Sequence, residues 1–250
     1  MNPEGVEHTP NDTTEDEQGA VVMKAIRQRQ SAKGPYYQDR QVSAEAMNQI
    51  IGAARWAPTP HNMQNFEIIV IDDRDTLNKI GELKSPLTED YVRENLQQMS
   101  FSEEELLQKK VGLLGVNLPQ TLRDPARMDE AVHGEGRGLG DMIKNGPTLL
   151  LVLYDTRKRA PASAGDFLGI LGLGCVMENM WLAASALGVG VQILSVFIGG
   201  DVEKKVKEIL KVPDYMAIAF GARLGYPMPR PQKYLRVRRD PEQIVHHNLY

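Results

Sequence analysis

Apolar side chains recur along this chain at two spacings. Met47, Ile50, Ile51 and Ala54 fall at i, i+3, i+4 and i+7, the stripe of a helix that buries one face. Ser43 stands before them as an N-cap, so a helix is expected over residues 43–56. Val21, Val22, Ala25, Ile26 and Arg29 trace a second stripe, which ends at the Gly34-Pro35 break. Apolar runs predict buried strands over residues 66–71 and 148–154 and further strands over residues 191–198 and 215–224. Asp75 is read as the cap of a short helix carrying Leu77, Ile80 and Leu83. Asp201 is read as the cap of another, carrying Val202, Val206, Ile209 and Leu210. Residues 166–187 are apolar on every side and are followed by Gly188; they predict the long central helix of the fold. Its apolar runs are interrupted at Glu178-Asn179 and reach only about 11 to 12 residues each, against the roughly 20 of a membrane span. Helices interleaved with about four strands give an α+β sandwich.

Residues 84–146 break this alternation. Tyr91, Val92, Leu96 and Met99 keep helical spacing, and Ser102-Glu103-Glu104-Glu105 is a capping box ahead of Leu106 and Leu107. The stretch 117–140 is then long, irregular and rich in Gly, Asp and Arg. Such stretches in compact domains are usually functional, so residues 84–146 are expected to form a lid or insertion over a site. Residues 1–20 are acidic, polar and poor in large apolar side chains. They are expected to be a disordered tail ahead of a single domain over 21–250.

Composition narrows the function classes. A formal charge of −4 over 250 residues gives no argument for nucleic-acid binding. The single cysteine, Cys175, excludes an intramolecular disulfide and a cysteine-cluster metal site; its apolar surroundings predict a buried, inert thiol. The five histidines lack metal-ligand spacing. The glycines at 134, 136, 138 and 140 follow no strand and are not a dinucleotide fingerprint. No secretory leader pattern opens the chain, so the expected compartment is the cytoplasm. Trp56 and Trp181 fall on helix faces expected to join the core.

Four segments carry candidate chemistry. In Ala57-Pro58-Thr59-Pro60-His61-Asn62-Met63-Gln64-Asn65-Phe66 two prolines stop a helix. Thr59, Asn62 and Gln64 then offer hydrogen bonds to a flat polar ligand. Arg27-Gln28-Arg29-Gln30-Ser31-Ala32-Lys33 is either a solvated helix end or a phosphate site built from cations and a hydroxyl. Gly188-Val189-Gly190-Val191-Gln192-Ile193-Leu194-Ser195 is a helix stop followed by a strand. Arg236-Val237-Arg238-Arg239, ahead of Ile244-Val245-His246, is a basic tail.

In this order the four segments resemble the FMN-dependent nitroreductases. Residues 57–66 resemble the Ala-Pro-Ser-x-x-Asn-x-Gln-Pro-Trp signature of that family. Arg29, Ser31 and Lys33 match its Arg-Arg-Ser-x-Arg motif, with Gln30 where a second basic residue is usual. Glu178 replaces the usual Gln of the central helix. The resemblance implies an α+β fold with a mixed sheet of about four to five strands flanked by helices, in an interwoven homodimer with FMN at the interface. It implies that Arg29, Gln30, Ser31, Lys33, Arg236 and Arg238 hold the FMN phosphate. Pro58, Thr59, Pro60, Asn62 and Gln64 would contact the cofactor, Gln192, Ile193 and Leu194 would line the ring edge, and the Ser195 main-chain N–H would face flavin N5. The implied activity is a ping-pong transfer of hydride from NADH or NADPH to small acceptors such as nitroaromatics or quinones, with no metal and no catalytic side chain. Tyr91, Phe101 and Arg123 would be lid contacts. Specialised relatives of the same fold, a reductive dehalogenase or a flavin-cleaving enzyme, fit the same motifs, as does a flavin-binding redox sensor without turnover.

Overall fold

A computed structural model describes residues 15–85, 137–144, 146–229 and 238–250, with isolated positions 90, 104, 105 and 108. Its helices are α1 (Glu15–Gln28), α2 (Ala44–Arg55), α3 (Arg74–Gly81), the short α4 (Gly140–Ile143), α5 (Phe167–Ala186) and α6 (Gly200–Leu210). Its strands are β1 (Phe66–Ile71), β2 (Lys84–Ser85), β3 (Arg137–Gly138), β4 (Thr148–Asp155), β5 (Gly190–Leu194) and β6 (Met216–Gly225). The main sheet has the order β1-β4-β6-β5. All three of its ladders are antiparallel. Among the described residues, the one parallel pairing to this sheet is the bridge between Ser31 and Val191, so the expected mixed sheet is an antiparallel one with a single parallel contact at its edge.

Strand β4 is apolar without alternation because both of its faces are covered. Leu150 and Val152 pack with Ile50, Ala54, Val176 and Met180 beneath α2 and α5. Leu149, Leu151 and Leu153 pack with Leu77, Ile80, Val202 and Val206 beneath α3 and α6. Strand β1 is an edge strand and only half-buried, so the expectation of a buried strand there is corrected. Strand β5 stops at Leu194 rather than at 198, because the chain turns back through a hydrogen bond from Ile198 N–H to the Ser195 carbonyl at 3.0 Å.

Two helix caps also differ from expectation. Asp73, not Asp75, caps α3. Its backbone is extended, and its carboxylate accepts from Thr76 N–H at 2.8 Å and from Thr76 Oγ1 at 2.6 Å. Asp201 lies inside the first turn of α6, where the dipole favours its charge. The Gly199 N–H instead donates to Glu203 Oε2 at 2.6 Å, while Glu203 Oε1 accepts from Ile218 N–H at 2.8 Å. Helix α1 starts at Glu15 rather than near Val21. The expected helix around Tyr91 and the capping box lie outside the fully described residues, but the ends of the 84–146 stretch do not. Lys84 and Ser85 pair with Gly138 and Arg137, so these two points of the chain lie side by side.

Helix α5 is long and apolar enough to cross a membrane by length and composition alone. Gly172, Leu173, Val176, Met180 and Ala184 are buried in the core. Other apolar side chains of α5 remain exposed: Phe167 is 62% and Ile170 57% exposed. Val21, Val22, Met23 and Ile26 of α1 are exposed as well. The expectation of a central helix buried on all sides therefore holds for one face only. Trp56 is 76% exposed, contrary to expectation, and Cys175 is half-buried rather than buried.

One ion pair ties down the end of β4. Arg157 donates from Nε to Asp155 Oδ1 at 2.9 Å and from Nη2 to Oδ2 at 2.8 Å, and its guanidinium stacks on Tyr215 at 3.5 Å. These hydrogen bonds hold the Asp155 carboxyl at about 2, below its ordinary 3.8. A carboxyl depressed in the folded state stabilises the fold above its unfolded pKa, and that contribution is lost as pH falls through the folded value. Asp155→Asn is expected to lower the melting temperature at neutral pH and to flatten its decline between pH 3.8 and about 2. Thermal melts across that range check this.

Candidate functional site

The basic segment after α1 is anchored to β5. Ser31 bridges Val191, and the Ala32 N–H donates to the Val191 carbonyl at 2.8 Å. Trp181 Nε1 donates to the Gln30 carbonyl at 3.2 Å. Arg29 stacks over the Trp181 ring at 4.4 Å and pairs through Nε with Glu178 Oε1 at 3.0 Å. Arg29, Gln30 and Ser31 are thus gathered at the start of β5, against the second half of α5, with Lys33 two residues beyond the bridge. Gly190 makes this approach feasible, since a Cβ there would lie 2.8 Å from Ala32 Cβ.

Strand β5 has β6 on one side only. Ser31 meets its other edge at Val191, and Ser195 lies just past the end of its ladder. The Leu194 side chain is buried beneath α6 and Ile193 packs on the other core. At Leu194 only the main chain can face a ligand. Gln192 is different: its Oε1 accepts from Arg223 Nη2 at 2.5 Å. Arg223 was not among the expected site residues. The available signal was a lone charge in Ala217–Leu224, an otherwise apolar run.

The loop after α2 is held by its own polar side chains. Gln64 N–H donates to Thr59 Oγ1 at 3.1 Å, and Gln64 Nε2 donates to Asn62 Oδ1 at 3.1 Å. His61, Asn62 and Gln64 have φ of 49°, 52° and 44°. Asn and His accept this left-handed conformation more readily than most residues, whereas Gln adopts it at a cost, and such strain clusters at ligand clamps. Pro58, Thr59 and Pro60 rest against Gly172, in the first half of α5. The rise from Gly172 to Trp181 is roughly 14 Å at 1.5 Å per residue. One chain therefore brings Arg29, Ser31 and Gln192 together and seats the 57–64 loop elsewhere along the same helix. Arg238 lies on an exposed segment, while Arg236, Tyr91, Phe101 and Arg123 lie outside the described residues. Among the described residues no cluster of His, Cys, Asp and Glu could hold a metal ion.

Residues 26–226 match the model of the Nitroreductase family. The chain belongs to that family. It is an enzyme of the NAD(P)H nitroreductase and oxidoreductase type. An NADPH-dependent oxidoreductase of Staphylococcus haemolyticus is 24% identical over 214 residues, covering 86% of this chain and 68% of that protein. Among solved structures, an FMN-dependent nitroreductase from Clostridium difficile superposes with a TM-score of 0.56 at 18% identity, covering 91% of this chain and 99% of that one. A nitroreductase with bound FMN from Bacteroides fragilis superposes with a TM-score of 0.57 at 18% identity, covering 94% and 100%. At these identities the structural matches establish the shared fold.

Proposed function

We propose that this nitroreductase-family enzyme binds FMN and uses NADH or NADPH to reduce small acceptors such as nitroaromatics or quinones in a ping-pong cycle. The observation that carries this reading is the Ser31–Val191 bridge. It joins a segment bearing two cations and a hydroxyl to an edge strand whose main chain runs on to Ser195. The donor set suits a phosphate at one end and the polar edge of a planar ring at the other. Arg29, Ser31 and Lys33 hold the phosphate with Arg236 and Arg238 from the tail. The stretch from Gln192 to Ser195 positions the ring edge. When bound, FMN supplies the hydride chemistry, and the protein supplies binding, orientation and a fixed main-chain donor at Ser195.

The 57–64 loop enters this reading through a second copy of the chain. Within one protomer it sits well away from Ser31. The exposed apolar faces of α1 and α5 are of the kind a symmetric partner would cover. A homodimer would bring Pro58, Thr59, Pro60, Asn62 and Gln64 of one copy to the cofactor of the other. Residues 84–146, tied at β2 and β3, are assigned as the cover of the open ring face. The enzyme is assigned to the cytoplasm, with α5 as a core helix.

Glu178 sits beside the assigned phosphate site as a carboxylate on Arg29. Its charge opposes a phosphate there, although half-exposure lets water screen it. Glu178→Gln is expected to tighten FMN by a few-fold, about 0.5–1 kcal/mol, as measured by flavin fluorescence titration. The test of the function itself is the visible spectrum of the purified protein after incubation with FMN, followed by anaerobic addition of NADPH and NADH. Twin flavin bands that bleach on addition support it. A protein that takes up no flavin overturns it.

A further inference from the structure

Arg223 is 3% exposed in a strand otherwise filled with apolar or small side chains. Burying a guanidinium is costly unless its donors are met, and this chain builds a place for it. The side-chain stem lies against Gly146, where a Cβ would come within 2.5 Å of Arg223 Cγ. The guanidinium stacks on the Tyr36 ring at 4.6 Å. Nη2 donates to the Gly34 carbonyl at 3.1 Å and to Gln192 Oε1 at 2.5 Å. Those two acceptors belong to the two segments assigned to opposite ends of the cofactor: Gly34 follows Lys33 of the basic motif, and Gln192 follows the bridged Val191 on β5.

We propose that Arg223 is a positioning residue for the cofactor, locking the basic segment to β5 and fixing Gln192 as a hydrogen-bond donor toward the polar edge of the flavin. This rests on the FMN reading above. The chemistry follows from the inventory of donors. A guanidinium has no acceptor, so the Gln192 carboxamide must turn its oxygen to Arg223. Its NH₂ is then the end directed away from the clamp, and it can only donate. A donor there favours the electron-rich reduced ring over the oxidised one. Lysine replaces the function only in part, because its ammonium can donate twice but lacks the planar guanidinium that stacks on Tyr36 and fixes the directions of both bonds.

The test uses Arg223→Met, Arg223→Lys, Gln192→Leu and the Arg223→Met/Gln192→Leu pair. Each is measured for FMN affinity by fluorescence titration, for midpoint potential by dye equilibration and for apoprotein melting temperature. Arg223→Met is expected to weaken FMN by about ten-fold or more, the scale of a lost hydrogen bond to a charged group, and to make the potential more negative. Arg223→Lys is expected to fall between it and the parent. Gln192→Leu is expected to reproduce part of both changes, and the pair to fall short of the product of the singles, since the two side chains act as one unit. Lower melting temperatures with FMN affinity and potential at parental values would overturn the proposal and leave Arg223 a packing residue. If Arg223→Met does not fold, Arg223→Lys and Gln192→Leu decide by the same readouts. A parent protein that takes up no FMN would instead overturn the function on which the proposal rests.

Discussion

Ile170→Asp is expected to leave the protein monomeric and largely free of flavin. Ile170 is 57% exposed on the first turns of α5, beside Phe167 and Leu171, which are also exposed, while the opposite face of the helix is buried in the core. In the proposed homodimer a second copy of the chain covers this residue. Burying one isoleucine is worth about 2 kcal/mol. A two-fold interface uses the residue twice, so its loss costs the dimer about 4 kcal/mol, a roughly thousand-fold weaker association. A carboxylate buried there costs more. The folded protomer is spared, because the carboxylate introduced would lie near the helix N-terminus, where the dipole favours it. Size-exclusion chromatography with light scattering and the flavin-to-protein absorbance ratio check both halves. A monomer that keeps its flavin would refute the assignment of the 57–64 loop to the partner's cofactor.

Gly190→Val is expected to remove FMN binding without the need to disturb association. The first side-chain atom at this position would meet Ala32 Cβ at 2.8 Å, Tyr36 Cε1 at 3.0 Å and Pro227 Cδ at 3.1 Å, and valine adds two methyl groups beyond it. The 29–36 segment must move off β5. That breaks the Ala32 N–H to Val191 hydrogen bond and the Ser31 bridge, which together register the cations on the strand. Overpacking of this kind costs about 1–3 kcal/mol in stability. The larger effect falls on the ligand. Misplacing two charge-assisted hydrogen bonds at about 1.5–3 kcal/mol each weakens FMN by roughly 100-fold or more. Titration of FMN into the variant, with Gly190→Ala as the milder comparison, checks this. Unchanged affinity would show that the bridge does not register the phosphate site.

Most elements were legible because their causes are local. The stripe Met47, Ile50, Ile51 and Ala54 and the cap Ser43 specify α2 without reference to anything distant, and Ser43 does accept from Ala46 N–H at 3.1 Å. Strand β1 coincides with its apolar run residue for residue, and β4 extends it by Asp155 alone. Legibility fails where two nearby residues compete for one local role, as with Asp73 and Asp75, or where a turn follows an apolar run, as after Leu194. It fails too for exposure. An apolar stripe marks a face that will be covered, but not by what. The stripe of α1, and the Phe167, Ile170 and Leu171 side of the all-apolar α5, are therefore exposed in one protomer although nothing in their composition distinguishes them from buried faces.

The site divides along the same line. Residue chemistry within one short segment marked Arg29, Ser31 and Lys33 as a possible phosphate site, and the resemblance to the nitroreductases marked Gln192. That Ser31 lies on Val191, that Glu178 engages Arg29, that the 57–64 loop sits at the other end of α5, and that Arg223 reaches both Gly34 and Gln192 follow only from the packed chain. The periodicity of side chains and the chemistry of caps and breaks act over a few residues and can be read along the chain. Contacts between residues far apart in sequence depend on how helices and strands pack in three dimensions, where a glycine such as Gly190 or Gly146 decides which backbones and side chains can approach.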